Sequence, residues 1–379
     1  MSIKPIKLLV NFGPLKIGGG HNVALNFILE LKRNTRKDFE FYFVVCEGSG
    51  IKSVLEESQW SDNLIVVSRN PLKRIFEELT SVSSFVSKNK ISAVFTYFGF
   101  AIFSRHVKQI IGSADSNLYF PEIKFWNEDK IFNKIKRKLI DHYRIFGIKS
   151  AAGVIYENKS MFDRSTKLFG VRAKKLIYPS INVASTTREL NLDKNKSEVR
   201  LLFLCSWQRN KNIMLVPAIL REFLNRGVNS IAIISTNPDG SALSRDFLSE
   251  AARLDVISNI RFVGGVDKDQ LADLYDKIDL VFLLSKLESF SNNIIEAWFY
   301  KKPLIVSDEE WSRSICYDAA CYVDRNQPEL IVDKSIQYVL DENLSNRLIG
   351  KGTDMLKVFP SINTRFEQEL DFIKEVVGK

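Results

Sequence analysis

Two doubly wound α/β domains in one chain are predicted by three observations. Short apolar runs alternate with amphipathic segments along nearly the whole sequence, the alternation stops between Pro179 and Ser197 and then resumes, and 379 residues are enough to bury two cores. Strands that alternate with helices make parallel sheets, whose strands are buried on both faces and so read as continuous apolar runs.

The first such run is Ile6 to Asn11, followed by the loop FGPLKIGGG. From His21 to Lys32, apolar residues at Val23, Leu25, Phe27, Ile28, Leu29 and Leu31 fit a helix packed on a sheet. Gly18, Gly19 and Gly20 lack side chains and let the backbone approach a ligand. Their spacing does not match the dinucleotide fingerprint, and a merely tight turn is the plainer account.

Strands are then expected at Phe41 to Cys46, Asn63 to Val67 and Ala93 to Thr96, with a helix over Leu72 to Lys88. A short strand at Asn117 to Phe120 ends in Pro121 and Glu122. After the strand Ala151 to Tyr156, the helix Asn158 to Phe169 and the strand Lys175 to Tyr178, Pro179 breaks the pattern. Asn182 to Ser197 is polar and charged and reads as an exposed linker. The boundary is therefore expected near residue 181, giving domains 1–181 and 182–361 and a terminal helix in 362–379.

Lys124 to Lys149 breaks the α/β pattern with eight Lys or Arg against three Asp or Glu. Ile131, Phe132, Ile135, Leu139, Ile140 and Tyr143 recur at helical spacing. A helix of this kind suits an anionic membrane surface, and a domain helix with a solvated basic face explains it equally well. Its aromatic residues would also suit nucleic acid, but no known nucleic-acid-binding signature accompanies them, so no such partner is expected.

The second domain alternates through the strand Val199 to Ser206, helix Met214 to Asn225, strand Ser230 to Ser235, helix Arg245 to Leu254, strand Ile260 to Val263, helix Lys268 to Lys277 and strand Leu280 to Leu284. Pro303 to Val306 and Ala320 to Val323 add strands, and Pro328 to Leu340 adds a helix. The segment Val281 to Asp308 holds the clearest chemistry. A buried strand runs into a polar loop, a helix opens near Ser291, and Glu288 and Glu296 stand eight positions apart. Capped by Ser291, that helix would offer the N–H groups of Asn292, Asn293 and Ile294 to a phosphate or diphosphate. Carboxylates beside such an anion are poor charge partners for it but good acceptors for sugar hydroxyls. The pair alone is weak evidence, since acidic residues are common near helix starts.

In the order strand, Ser-Phe-Ser-Asn loop and closing PLIVSD strand, this segment resembles the signature of retaining glycosyltransferase family 4, of the bacterial surface-polysaccharide type. The resemblance implies the GT-B fold: two Rossmann-like domains facing a cleft, with the C-terminal helix crossing back to the first domain. It implies that Glu288 holds the donor sugar and Glu296 the ribose, with Ser289, Phe290, Ser291, Asn292 and Asn293 on the donor. Arg209 and Lys211 in SWQRNKN resemble the basic pair that neutralises the leaving diphosphate, although the commoner Gly-Arg-Leu start is replaced by Ser206-Trp207-Gln208. Val263, Gly264 and Val266 would line the base pocket, and the glycine loop would close the donor side. The family's histidine after the 117–120 strand is absent, which leaves Glu122 and His21 as tentative acceptor-side groups. Asp267-Lys268-Asp269 has the form of a metal-binding pair, but helix capping explains Asp267 better, so neither a metal nor a cofactor is expected.

Composition narrows the classes. With 45% hydrophobic and 26% charged residues the chain is an ordinary globular one, with no run near the length of a membrane span and no signal-peptide-like start, so a cytoplasmic protein is expected. Cys46, Cys205, Cys316 and Cys321 are scattered as buried thiols would be. A formal net charge of +9 favours polyanionic neighbours, and three histidines are too few to build a nucleophilic triad on. The implied reaction is retaining, metal-independent transfer of a hexose from a nucleotide diphosphate sugar to an acceptor hydroxyl. A lipid-linked saccharide acceptor in O-antigen or capsule synthesis follows by analogy. Two alternatives stay open: a nucleotide-sugar 2-epimerase of the same fold, and a non-catalytic nucleotide- or polyanion-binding protein.

Overall fold

The computed structural model describes residues 4–15, 19–34, 36–99, 101–102, 107–126, 130–181, 183 and 198–378. Two compact units divide the chain: Met1–Pro121 with Asp129–Ser180 and Pro360–Lys379, and Glu122–Glu128 with Ile181–Phe359. Apart from Val183, the expected linker Asn182 to Ser197 lies outside the described residues.

In the first unit, seven strands form a parallel sheet: β1 (Ile6–Asn11), β2 (Phe39–Cys46), β3 (Leu64–Val67), β4 (Ala93–Tyr97), β5 (Lys108–Ser113), β6 (Gly153–Tyr156) and β7 (Lys174–Leu176). Their order is β3-β2-β1-β4-β5-β6-β7, with Leu8 of β1 level with Phe41 of β2 and Ala93 of β4. Phe12, Phe27, Phe43 and Tyr97 pack over the sheet with ring centroids about 6 Å apart, as offset and edge-on aromatic pairs do.

The C-terminal helix Ile362–Gly378 belongs to this unit because its apolar residues at helical spacing, Phe366, Leu370 and Ile373, enter that same core. It also brings in charge. Arg365 lies 2.8 Å from Glu157 and 2.9 Å from Glu369, and the buried Tyr97 hydroxyl donates to Glu369.

Three expectations for this unit need correction. The strand expected at Asn117 to Phe120 is instead a single 3₁₀ turn, Ser116–Leu118, and the strand is β5. Leu118, Tyr119 and Phe120 are apolar because they are buried as a plug, Tyr119 bonding Ser113 at 2.8 Å, while Lys108 and Gln109 disguise the true strand. The helix expected over Leu72 to Lys88 is continuous but contains a π-helical turn, Glu78–Val82, between Pro71–Glu77 and Ser83–Lys88. The basic helix runs over Ile131–Ser150, so only part of Lys124 to Lys149 is helical, and residues 127–129 lie outside the described residues.

The second unit holds a six-stranded parallel sheet, β8 (Val199–Phe203), β9 (Ser230–Ile234), β10 (Ile260–Phe262), β11 (Leu280–Leu283), β12 (Leu304–Ser307) and β13 (Cys321–Val323), in the order β10-β9-β8-β11-β12-β13. Sequence reading missed the helices Glu310–Cys316 and Glu342–Leu356. The second of these is fixed by a close approach: a Cβ on Gly352 would fall 2.2 Å from Trp298 Cδ1, on the helix Asn292–Phe299. No described helix is long and apolar enough to cross a membrane.

Candidate functional site

Within the second sheet the winding reverses between β8 and β11: β9 and β10 build outward from β8, and β12 and β13 build outward from β11. Loops leaving two neighbouring strands in opposite directions open a crevice at the strands' carboxyl ends, the place where open α/β sheets take ligands. The loop after β8 carries Arg209 and Lys211, and the loop after β11 runs from Leu284 to Ser291.

These loops are laced together. The Lys286 N–H donates to the Asn210 carbonyl at 2.7 Å, and Asn210 Nδ2 donates to the Leu287 carbonyl at 3.3 Å. Arg209–Lys211 is a 3₁₀ turn closed by Asn212 at φ 56°, a left-handed conformation that asparagine tolerates better than most residues. Lys211 thereby meets Glu288, its Nζ donating to Oε1 at 2.5 Å, and Ser285 Oγ donates to the same oxygen at 2.7 Å. Glu288 is only 8% exposed, and a carboxylate so enclosed is tolerable because a cation and a hydroxyl face it. Behind this pair, Cys205 and Lys211 line a small pocket with Ser285 and Phe282. Burial pushes the Cys205 thiol up to about 12, which makes it a neutral lining group rather than a nucleophile.

The helix Asn292–Phe299 starts where expected, but the capping differs. Ser291 has extended backbone (φ −131°, ψ 123°) and its side chain caps nothing. Its carbonyl instead accepts from the Ile294 N–H at 3.1 Å, a 3₁₀-type closure that consumes one of the three expected donors. Asn292 and Asn293 keep the free end of the turn, and Asn293 Nδ2 ties the helix to the end of β8 through the Leu204 carbonyl at 2.8 Å. Ser289 is half-buried in the loop, while Phe290 packs on Phe359 with ring centroids 5.8 Å apart.

Glu296 occupies a separate environment. The buried Tyr275 hydroxyl donates to its Oε2 at 3.3 Å, and Tyr275 stacks on Tyr300 at 4.6 Å. Burial raises the Glu296 carboxyl above the ordinary carboxylate range, with the Tyr275 bond and the Lys268 charge opposing that shift. Tyr275, Lys268 and Ser285 are groups that sequence reading missed as site residues. Nothing local marks Tyr275 or Lys268, which reach Glu296 only after the chain has folded, whereas Ser285 sits three residues before Glu288 in the same loop.

Trp207, in the segment Ser206-Trp207-Gln208 after β8, has a definite place. Its Nε1 donates to the Asn237 carbonyl at 2.7 Å, and its ring sits 5.4 Å from Phe247 and 6.3 Å from Phe262. Gly264 lies against the same Asn237 with φ 72°, where a Cβ would come within 3.1 Å of the amide, so both the backbone and the space call for glycine. The carboxyl ends of β8, β9 and β10 are pinned together here.

The other expected site residues belong to other elements. Gly18 is outside the described residues, and Gly19 and Gly20 form the first turn of the helix Gly19–Arg33 rather than a loop. The helix therefore begins before His21, whose half-buried ring lies over Gly50, 3.2 Å from where a Cβ there would be. Glu122, expected on the first domain's acceptor side, is an exposed turn residue grouped with the second unit, and the turn Ser116–Leu118 stands where a strand was expected before it. Asp267 opens a turn as a capping residue, its N–H bonded to Gln270 Oε1 at 3.1 Å. Among the described residues no three His, Cys, Asp or Glu side chains converge as a metal site.

Comparison with known proteins bears on the same region. Residues 191–355 match the model of the family described as glycosyl transferases group 1. No curated protein matches the sequence. Among solved structures, a sucrose-phosphate synthase from Thermosynechococcus elongatus aligns with TM-score 0.73 at 13% identity, covering 98% of this chain and 99% of that one. HepE of Anabaena, in complex with UDP and glucose, aligns with TM-score 0.67 at 14% identity over 98% and 100% of the two chains. WaaG, a glycosyltransferase involved in lipopolysaccharide biosynthesis, aligns with TM-score 0.65 at 13% identity over 97% and 99%. At such identities the likeness establishes a shared fold, the GT-B architecture of two Rossmann-like α/β units. The glycosyltransferase group 1 match covers the part of the chain that carries Lys211, Glu288 and Glu296.

Proposed function

We propose that this protein is a retaining glycosyltransferase that moves a hexose from a nucleotide diphosphate sugar to an acceptor hydroxyl without a metal ion. The observation that carries the reading is the Lys211–Glu288 pair at the switch point of the second sheet, below the start of the helix Asn292–Phe299. In the transfer, the bond from the anomeric carbon to the diphosphate breaks, a bond to the acceptor oxygen forms on the same face, and the acceptor proton passes to the leaving phosphate. Negative charge gathers on the diphosphate. Lys211, Arg209 and the N–H groups of Asn292 and Asn293 are the local groups suited to stabilise it.

Without donor, Lys211 is neutralised by Glu288. When a diphosphate takes over the ammonium, Glu288 is released to accept hydrogen bonds from the sugar hydroxyls, so one exchange of partners prepares both ends of the donor. Glu296, held by Tyr275, accepts from the ribose. The acceptor in this reading is a lipid-linked saccharide of surface polysaccharide assembly, and the enzyme works as a peripheral protein on the cytoplasmic face of the membrane. The net charge of +9 and the basic helix support that location.

The test is incubation with a panel of nucleotide sugars, with and without EDTA, following free nucleotide and the anomeric configuration of the product. Metal-independent release with retention supports the reading. Loss of turnover in EDTA overturns the metal-free part, and binding without any turnover favours a non-catalytic nucleotide-binding protein.

A further inference from the structure

The basic helix Ile131–Ser150 buries only Gly147 and Ile148, near its carboxyl end. Over the rest of its length it shows large apolar side chains to solvent: Ile131 is 72% exposed, Phe132 74%, Ile135 54%, Leu139 68% and Phe146 59%. At 3.6 residues per turn these five fall within an arc of about 100°, a single stripe rather than scattered positions. Single exposed apolar residues are ordinary, but a contiguous set of this kind marks a surface that something covers.

Charge identifies the occupant. Lys138 and Lys149 border one edge of the stripe and Lys136 the other, and among the described residues none of the three has a carboxylate partner. A second copy of the chain docked through the same face would set these lysines against each other across a two-fold contact. Nucleic acid would leave the apolar stripe uncovered. An anionic bilayer satisfies both parts, since acyl chains take the stripe while lipid phosphates take the lysines.

We propose that the helix Ile131–Ser150 is a docking surface for an anionic lipid bilayer, the helix lying in the plane of the interface with its stripe inward. This deepens the peripheral location given above, yet it does not depend on catalysis. No further domain or anchor is required of it.

The test is sedimentation of the full chain with phosphatidylcholine vesicles containing phosphatidylglycerol and with vesicles of phosphatidylcholine alone, at low and high salt. Release of nucleotide from a donor, assayed without vesicles, keeps failure of this proposal distinct from failure of the proposed activity. Wild type should partition to the anionic vesicles preferentially. Ile135→Glu with Leu139→Glu should lower partition by roughly tenfold or more per site, since each loses the burial of one large side chain. Lys136→Gln, Lys138→Gln and Lys149→Gln together should cost on the order of a hundredfold on anionic vesicles, at about fivefold per lysine lost. All of these positions are solvent-facing, so circular dichroism and the thermal midpoint should not change. Equal partition of wild type and the Ile135→Glu, Leu139→Glu variant overturns the proposal. So does a dimer in sedimentation velocity that this variant dissociates while vesicle binding stays intact, which would assign the stripe to a second copy.

Discussion

Lys211 Nζ lies 2.5 Å from Glu288 Oε1, across 77 residues of sequence, at the one place in the second sheet where neighbouring strands send their loops in opposite directions. Side-chain exposures of 20% and 10% make the pair neither a surface bridge nor a fully buried one. Each charge of the pair is neutralised by the other.

Lys211→Met should lower kcat for donor consumption by about 10²–10³, the usual loss when one preorganised group facing a developing anion is removed. Leaving Glu288 without its cation should also cost about 1–3 kcal/mol in urea unfolding. A variant with wild-type kcat would show that the ammonium does not meet the diphosphate.

Tyr275→Phe keeps the stack on Tyr300 and removes only the hydroxyl that donates to Glu296. Because Tyr275 acts through Glu296, donor KM should rise several-fold, about what loss of one ordinary hydrogen bond brings, while kcat holds. A fall in kcat at unchanged KM would count against a ribose-holding role for Glu296.

Glu78 supplies a pH prediction. Burial raises its carboxyl from about 4.5 to about 7, with the Arg74 charge opposing the shift. A carboxyl whose folded value lies above its unfolded one favours the folded state while protonated. That contribution is complete below the unfolded value and is lost as pH rises through the folded one. Wild type should therefore lose about 3 kcal/mol, relative to Glu78→Gln, between about pH 5 and about pH 8. Urea unfolding of both proteins at the two pH values checks this, and parallel curves would refute it.

Arg365 holds the C-terminal helix through Glu157 and Glu369 in a buried cluster. Arg365→Met strands two carboxylates and should cost about 3–5 kcal/mol, with early amide exchange along Ile362–Gly378. Exchange that remains late in that helix would mean the apolar contacts of Phe366 and Leu370 suffice.

Much of the fold was legible in advance. Ile6–Asn11 and Pro328–Leu340 have the expected bounds, and most other expected strands and helices differ by only a few residues at their ends. The misses have physical reasons. Asn117 to Phe120 is apolar because it is buried rather than because it pairs, and Gly19 and Gly20 look like a loop but begin a helix. Of the site, the two glutamates and the basic pair lay in recognisable segments, whereas Tyr275 and Lys268 had no local signal.

By itself the sequence determined two parallel α/β sheets, because strands buried on both faces must be apolar throughout and helices packed on them must be apolar on one side. It also determined that Glu288 leaves a strand and Glu296 rides a helix. Only the tertiary structure decided that Lys211 meets Glu288, since strand order rather than sequence distance sets which loops are neighbours. The tertiary structure alone also decided the fate of Ile131, Phe132, Ile135 and Leu139. Helical spacing says which residues share a face, and it cannot say whether the rest of the chain folds over that face or leaves it to something else.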